Sequence, residues 1–369
     1  MKWKEIINMY KNLPPEIIYI DDLKLKKYIS SSKLTIHEAM DNLNNTIELF
    51  QIIVDENNYF LGTLTDGDIR RGLLSGYNLD ENVKKCMNSI PLSGEITKEE
   101  ENIEKLNKVH RDPLFLPIIN EKSILQGVLI KNIITDISNA LIVAGGMGTR
   151  LGALTTDKPK PMLQIDGRPI LEHCINKLEE ANIKTIYVSI NYMSEQIIDF
   201  INKKKFKAKI IPVKEKIKLG TIGSLYLIKE KINYPLLVMN ADLVTSLPIS
   251  TLISFYRSEN VDGVITAATY ETKVPYGVLK YNKMGQLQSI EEKPIAKNLV
   301  AAGVYILNKN ISELVVKQEF LDMPELLDKA IRKGYNILVF PIHEKWKDIG
   351  NPEDYYEIKK INFSKKRTK

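Results

Sequence analysis

Residues 140–163 read ALIVAGGMGTRLGALTTDKPKPML, an apolar run from Ala140 to Val143 that empties into Gly145, Gly146 and Gly148. A short apolar run bounded by glycines is the pattern of a buried strand that turns sharply. Three kinds of phosphate-binding loop compete for this stretch, and spacing separates them. A Walker loop needs a lysine directly after its last glycine, and neither Gly148 nor Gly152 is followed by one. A dinucleotide fingerprint counted from Gly146 and Gly148 meets Leu151 where its third glycine belongs, and TIYVSIN (185–191) ends in Asn191 instead of an acidic residue. Both readings fail on this chain, and an NAD-dependent dehydrogenase is disfavoured with the second.

Outward from the loop the pattern alternates. ILEHCINKLEEANI (170–183) predicts a helix, TIYVSIN a strand, SEQIIDFINKK (194–204) a helix and KAKIIPV (207–213) a strand. TIGSLYLIKEKI (221–232) then predicts a helix and PLLVMNADLV (235–244) a strand. Strands alternating with helices imply a doubly wound, Rossmann-like α/β domain with a mostly parallel sheet over 138–369, and in such sheets ligands bind at the carboxyl ends of the strands.

The 139 residues ahead of the loop carry a different pattern, an internal repeat. Residues 47–76 read as strand QIIVD, turn Glu56-Asn57-Asn58, strand FLGTL and a capped helix from Asp66 to Leu74. A weaker copy at 114–135 repeats the order as FLPIIN, EKS and QGVLIKNII, at a spacing of roughly 60–65 residues. The expected division is 1–137 and 138–369, with 136–139 as a short polar joint.

Composition narrows the function. At 44% hydrophobic and 27% charged, 369 residues suit a soluble protein of two or three domains. The net charge of +6 comes from scattered lysines and short runs such as Lys203–Lys205 and 365–367, without the clustering and interleaved aromatics of a nucleic-acid face. Cys86 and Cys174 are far apart and form no CxxC pair, and His37, His110, His173 and His343 show no metal spacing. The N-terminus lacks an apolar signal region and no uncharged run is long enough to span a bilayer, so a cytoplasmic protein without membrane association is expected.

AGGMGTRL followed by DKPKPML resembles the signature of sugar-1-phosphate nucleotidyltransferases, Gly-Gly-x-Gly-Thr-Arg and then Lys-Pro-Met/Leu, and further matches follow in family order to residue 358. The resemblance implies a GT-A-like fold and a reaction in which a sugar-1-phosphate attacks a nucleoside triphosphate with magnesium as cofactor. In it Ala144, Gly145, Gly146, Gly148 and Thr149 would approach the triphosphate, while Arg150 and Lys160 would neutralise charge at the reacting phosphates. Gly220, Thr221 and Ser224 of LGTIGS resemble the turn lining the nucleobase, though small residues there also suit a helix N-terminus. Asp242 of VMNAD and Asp348 of WKDIGNPEDY resemble the two magnesium ligands, although an Asp at a strand end also serves as a cap or turn residue. Gly277 of PYGV, with Glu292 and Lys293 of EEKP, matches the sugar-phosphate motifs, which could otherwise be a surface strand. AAGVYIL (301–307) resembles a further sugar-site strand, where Ala301 departs from the asparagine of many relatives.

Residues 16–136 resemble a tandem pair of CBS domains, an α+β βαββα module that often holds an adenine nucleotide. The match rests on TDGDIRR: Gly62, Thr65 and Asp68 fit the family pattern, and Thr65 with Asp68 would meet ribose and phosphate. The same two residues would equally serve as a helix cap. In the second copy the positions fall on Gly127, Ile130 and Ile133, which implies at most one ribose-recognising site, for an adenine or pathway nucleotide. CBS pairs commonly associate, so a homo-oligomer is expected. The order of the two modules resembles bacterial guanylyltransferases that make GDP-glucosamine for legionaminic acid, implying GTP and glucosamine-1-phosphate; another sugar-1-phosphate or base, or a catalytically inactive nucleotide sensor, are the alternatives.

Overall fold

The computed structural model describes residues 10, 13–46, 48–109, 113–131, 137–259 and 261–360. Ile133, His110, the Asp136 end of the expected joint, most of the N-terminal stretch and the 365–367 run lie outside them. The chain forms two compact units, Met1–Asp136 with Ser250–Val261, and Ile137–Ile249 with Asp262–Lys369. Ser250–Val261 therefore groups with the first unit, where the sequence had assigned all of 138–369 to the second.

The first unit opens with β1 (Ile17–Ile20), then runs β2 (Ile29–Ser31), α1 (Ile36–Asn44), β3 (Phe50–Val54), β4 (Phe60–Thr65) and α2 (Asp66–Leu74). The order is repeated by β5 (Gly94–Glu95), α3 (Glu99–Asn107), β6 (Leu114–Ile119) and β7 (Leu125–Lys131). Sheets β2-β3-β4 and β1-β7-β6-β5 result. The repeat extends to the irregularities, because each hairpin ladder slips at the corresponding point. Ile53 opposes Gly62 and Val54 opposes Phe60, as Ile118 opposes Gly127 and Ile119 opposes Leu125. The two copies share a core in which Phe50 stacks on Phe115 at 3.9 Å and on Tyr28 at 4.7 Å. Helix α2 spans the expected residues because Thr65 and Asp68 close a reciprocal capping box at its start.

In the second unit β8 (Asn139–Val143) leads through β9 (Gln164–Ile165) and β10 (Arg168–Pro169) to α4 (Ile170–Glu180), β11 (Thr185–Ile190), α5 (Ser194–Lys203) and β12 (Lys209–Lys214). There follow β13 (Leu236–Asn240), β14 (Leu243–Thr245), then α6 (Ile249–Glu259), which apart from Ile249 groups with the first unit, and, back in the second, β15 (Gly263–Lys273), β16 (Val278–Tyr281), β17 (Leu287–Glu291) and β18 (Ile295–Leu307). The chain continues through α7 (Met323–Arg332), β19 (Ile337–Ile342), β20 (Trp346–Asp348) and α8 (Pro352–Lys360).

The main sheet has the order β12-β11-β8-β13-β18-β15-β19. It is mixed α/β and mostly parallel: only β18 runs against both of its neighbours. Ala140, Leu141 and Ile142 are all fully buried, and consecutive buried residues on one strand mean that both faces of β8 are covered.

Two expectations are corrected. TIGSLYLIKEKI is not an α-helix; only a 3-10 turn forms, over Gly223–Leu227. The amides of Ile222 and Gly223 are drawn to the Leu321 carbonyl (3.1 and 3.3 Å), so they lie across a neighbouring segment that the local period cannot register. PLLVMNADLV is two strands, β13 and β14, with the break at Ala241-Asp242. Among the described residues no helix is long and apolar enough to cross a membrane.

Candidate active site

Strand β8 delivers the chain to the glycine loop. Ala144, still buried, donates its amide to the Ser189 carbonyl on β11 (2.9 Å), and the chain then leaves the sheet. Gly148 turns at φ 65°, a left-handed conformation in which a side chain would be strained and would also meet Lys160 Cβ at 3.1 Å. Its carbonyl accepts from the Thr155 hydroxyl (3.0 Å), closing the 3-10 segment Thr149–Thr155. Gly146, Thr149 and Arg150 are left facing solvent, where a ligand can reach them.

Two carboxylates are brought together by a small ladder. β14 pairs antiparallel with β20, Leu243 opposite Asp348, and Ile349 donates its amide to the Asp242 carbonyl (3.2 Å). Asp242, in the break between β13 and β14, thereby sits beside Asp348 although the two are far apart in sequence. Lys160 opens the 3-10 turn Lys160–Met162; its ammonium donates to the Asp242 carboxylate and lies 3.8 Å from Asp348. Arg150 reaches the same corner: a Cβ at Gly350 would lie 3.8 Å from its guanidinium and 3.9 Å from the Asp348 carboxylate. Burial, and then the neighbouring Asp242 charge, push the Asp348 carboxyl up to about 6, against the downward pull of Lys160 and Arg150.

Oδ1 of Asp242 and Oδ1 of Asp348 are buried and accept no hydrogen bond from the described residues. Buried carboxylate oxygens lacking donors are what a hard cation would satisfy, and two carboxylates fit magnesium, which takes few protein ligands and fills its shell with phosphate and water. No group of three or more potential metal-ligating side chains occurs among the described residues.

The LGTIGS turn is fixed by contact. Gly220 has φ 80°, and a Cβ there would lie 2.5 Å from the Leu321 carbonyl oxygen, which leaves room only for glycine. Thr221 is occupied by the fold: its hydroxyl accepts the Met323 amide (2.7 Å) and its own amide donates to Asp322 (2.8 Å), so it helps to cap α7. The Ser224 hydroxyl is fully buried without a partner among the described residues. Sequence reasoning missed Glu215, a buried acid just past β12 that accepts from the Ser189 hydroxyl and the Leu219 amide (3.1 Å). A Cβ on Gly145 would lie 3.0 Å from it, so Glu215 braces the glycine loop and the LGTIGS turn together. Burial raises its carboxyl above the ordinary range. The available signal was an acid at the carboxyl end of a parallel strand.

Gly277, Glu292 and Lys293 are brought together on the β16–β17 hairpin. A Cβ at Gly277 would lie 3.1 Å from the Glu292 carboxylate, and Lys293 Nζ is 4.0 Å from it. Lys293 has φ 47°, a left-handed conformation unusual for a residue with a side chain. Among the described residues, no hydrogen bond or ion pair joins these three to the Asp242–Asp348–Lys160 cluster.

In the first unit Thr65 and Asp68 act as a cap. The Asp68 carboxylate accepts the Thr65 amide and hydroxyl (both 2.8 Å) and pairs with Arg71 at 2.6 Å. Both also line a cavity of about 400 Å³, whose wall includes Arg71, Lys108, Leu92 and Phe115. Ile130, at the corresponding place in the second copy, is buried.

Residues 139–364, more than half of the chain, match the family described as nucleotidyl transferase. Mannose-1-phosphate guanyltransferase of Yarrowia lipolytica is 30% identical over 224 residues, 58% of this chain and 61% of that protein. Mannose-1-phosphate guanyltransferase 2 of Candida glabrata is 32% identical over 225 residues, 58% of this chain and 62% of that protein. The chain thus spans less than two thirds of the length of these curated relatives. The crystal structure of HddC from Yersinia pseudotuberculosis, also solved complexed with GMP-PN, is 29% identical with a TM-score of 0.49, covering 61% of this chain and 99% of that one. On the family match across the glycine loop, both carboxylates and the hairpin, this chain belongs to the nucleotidyl transferase family.

Proposed function

We propose that the chain joins a nucleoside triphosphate to a sugar-1-phosphate, releasing pyrophosphate and a nucleotide-diphosphate sugar. The observation that carries the proposal is the corner where Arg150 and Lys160 meet Asp242 and Asp348 beside an open glycine loop. The acceptor phosphate oxygen is already an anion, so the attack on the α-phosphorus calls for positioning and charge neutralisation more than for a general base. Backbone amides from Gly145 to Thr149 approach the triphosphate, and Arg150 with Lys160 stabilises charge on the α-phosphate and the departing pyrophosphate. Asp242 and Asp348 would hold magnesium, which supplies charge neutralisation among the phosphate oxygens. Gly220 and Ser224 shape the turn beside the nucleotide. Glu292 would accept sugar hydroxyls and Lys293 would pair with the acceptor phosphate.

For the substrates we favour GTP and glucosamine-1-phosphate. Guanylyl transfer is supported by the mannose-1-phosphate guanyltransferase relatives, and the glucosamine choice by the likeness of the module order to the GDP-glucosamine enzymes of legionaminic acid synthesis. We place the reaction in the cytoplasm, where nucleoside triphosphates are supplied. Pyrophosphate release from each nucleoside triphosphate against a panel of sugar-1-phosphates tests all of this. Faster turnover with UTP, dTTP or CTP removes the guanine preference, faster turnover with mannose- or heptose-1-phosphate removes the glucosamine one, and no release with any pair favours a nucleotide sensor.

A second reading concerns the first unit, which we take as a tandem CBS pair that binds one adenine or pathway nucleotide and assembles with another pair. Its support is the cavity that collects Thr65, Asp68, Arg71 and Lys108 against an apolar wall. Calorimetry on the full chain with adenine and guanine nucleotides, repeated in the presence of GMP to saturate the catalytic unit, tests it. Absence of binding by any nucleotide at millimolar concentration leaves assembly as the surviving role.

A further inference from the structure

On the footing of the nucleotide-binding reading proposed for the first unit, we infer that its cavity takes a nucleoside phosphate whose phosphate displaces Glu259 from Arg71. Helix α6 then both completes the site and answers to its ligand. Apart from Ile249, α6 belongs to this unit. One of its faces lies against the start of α2: Thr251, Ser254, Phe255 and Ser258, at helical spacing, line a small cleft together with Asp66 and Gly67. The approach is close, since a Cβ on Gly67 would lie 3.7 Å from the Phe255 ring and 3.3 Å from the Arg71 guanidinium. Ser258 continues into the wall of the larger cavity with Thr65, Asp68 and Arg71. At the next position Glu259 pairs with Nη1 of Arg71, while Nη2 of the same guanidinium holds Asp68 at 2.6 Å.

Two carboxylates therefore share one guanidinium, and both are largely shielded from water, the Asp68 side chain being 17% exposed and that of Glu259 14%. Together the three groups are net negative, which opposes an arriving phosphate unless one carboxylate leaves. Asp68 is fixed by the capping box of α2, where it accepts the Thr65 amide and hydroxyl. Glu259 comes from another helix and meets α2 through Arg71, so it is the carboxylate that can be exchanged. A phosphate offers the guanidinium the same kind of charged acceptor, in a geometry its fork matches with two bonds, and Lys108 on the cavity wall adds a second cation. Leu92, Val109 and Phe115 supply apolar surface for the base. A nucleoside without phosphate would fill the cavity and leave Glu259 on Arg71. The exchange has a route outward along the chain, because α6 follows β14, Asp242 directly precedes β14, and β14 pairs with the strand that carries Asp348. Loosening α6 from α2 thus acts on the segment that joins the two carboxylates of the proposed magnesium site, and by reciprocity that site acts on the cavity.

Calorimetry on the full chain, with AMP and GMP set against adenosine and guanosine, reads the exchange directly. Glu259→Gln keeps the shape of the side chain and removes its charge; it should tighten nucleotide binding roughly tenfold and leave the matching nucleoside unchanged. Arg71→Met should weaken the nucleotide by a similar factor and again spare the nucleoside, which identifies the binding event as that of the first unit. Circular dichroism checks that both variants are folded. Equal nucleotide affinity in the wild type and Glu259→Gln overturns the inference, and so does a nucleoside that gains as much as its nucleotide, or binding that Arg71→Met leaves untouched. Hydrogen exchange supplies a readout independent of turnover: the amides of α6 should exchange several-fold faster when nucleotide is added to the wild type, and at the same rate when nucleoside is added. Exchange in α6 that ignores the nucleotide overturns its release. Absence of binding by all four compounds at millimolar concentration, in the wild type and in Glu259→Gln alike, defeats the nucleotide-binding reading itself, whereas binding indifferent to Glu259 defeats only the exchange.

Discussion

Replacing Lys160 by Met removes the ammonium shared by Asp242 and Asp348 while keeping the length of the side chain. At 3.8 Å a unit charge pair in a medium of effective dielectric ~20 is worth about 4 kcal/mol before screening. Lys160 is nearly buried, but the Asp348 side chain is 41% exposed, so solvent screening reduces the net loss to about 2–3 kcal/mol. For a unit of this size that corresponds to a fall in Tm of roughly 5–10 °C at pH 8. The pH dependence fixes the sign. Asp348 is already raised to about 6 from an ordinary 3.8, so its charge costs stability that grows as pH rises from about 3.8, is complete above about 6, and is absent below 3.8 where both states are protonated. Without Lys160 it rises further, and the deficit of the variant should be largest at pH 8 and fade below about pH 4.5. Trp346, two residues before Asp348 on β20, gives a local fluorescence probe of the transition, to be followed in chelator-treated protein. Millimolar magnesium should restore part of the lost Tm at pH 8. An equal deficit at pH 8 and pH 4.5 would refute the electrostatic account and leave altered packing as the cause.

Arg150→Ala, at an exposed position, should lower turnover about 100- to 1,000-fold with Tm unchanged; full turnover would remove Arg150 from the reaction. Asp242→Ala should lower turnover by a similar factor, and magnesium should then no longer raise Tm. Gly220→Ala imposes a left-handed alanine, about 1–2 kcal/mol, besides a clash with the Leu321 carbonyl, and should raise KM for the nucleotide before it affects that for the sugar-phosphate. Asp68→Ala opens the α2 capping box and should cost about 1 kcal/mol in thermal unfolding of the first unit; nucleotide binding that survives the change unaltered would separate the cap from the proposed ribose site.

Legibility in the sequence followed the range of the interactions. The glycine loop, Arg150 and Lys160 lie within one short stretch, and their spacing alone excluded two other phosphate loops. Asp242 and Asp348 were readable as residue types, but what joins them is the β14–β20 ladder, a pairing of short strands about a hundred residues apart that no local pattern announces. Thr221 shows a different limit. A small hydroxyl residue in LGTIGS suits a ligand and suits a cap, and the cap contacts come from Met323 and Asp322, which arrive from a distant segment that no local pattern announces. The expected helix at 221–232 failed for a related reason: its apolar period is sound, and the residues do enter the core, but two of its first amides bond to Leu321 instead of continuing a helical ladder.

Glu215 marks the limit of reading by composition. In the stretch VKEKIK it looks like one solvated charge among lysines, yet the register of β12 against β11 carries it under the glycine loop, where Ser189 and the Leu219 amide satisfy its carboxylate. A buried acid retained there has a structural task that any neutral residue of similar size would perform incompletely. A glutamine could still accept from the Leu219 amide through its carbonyl, but its amide group would have to donate to the Ser189 hydroxyl, which would then have to turn its own proton to another acceptor. The loop that binds phosphate is therefore held from beneath by a residue chosen for accepting hydrogen bonds on both of its oxygens, and that requirement emerges only after the sheet has brought Ser189, Gly145 and Leu219 together.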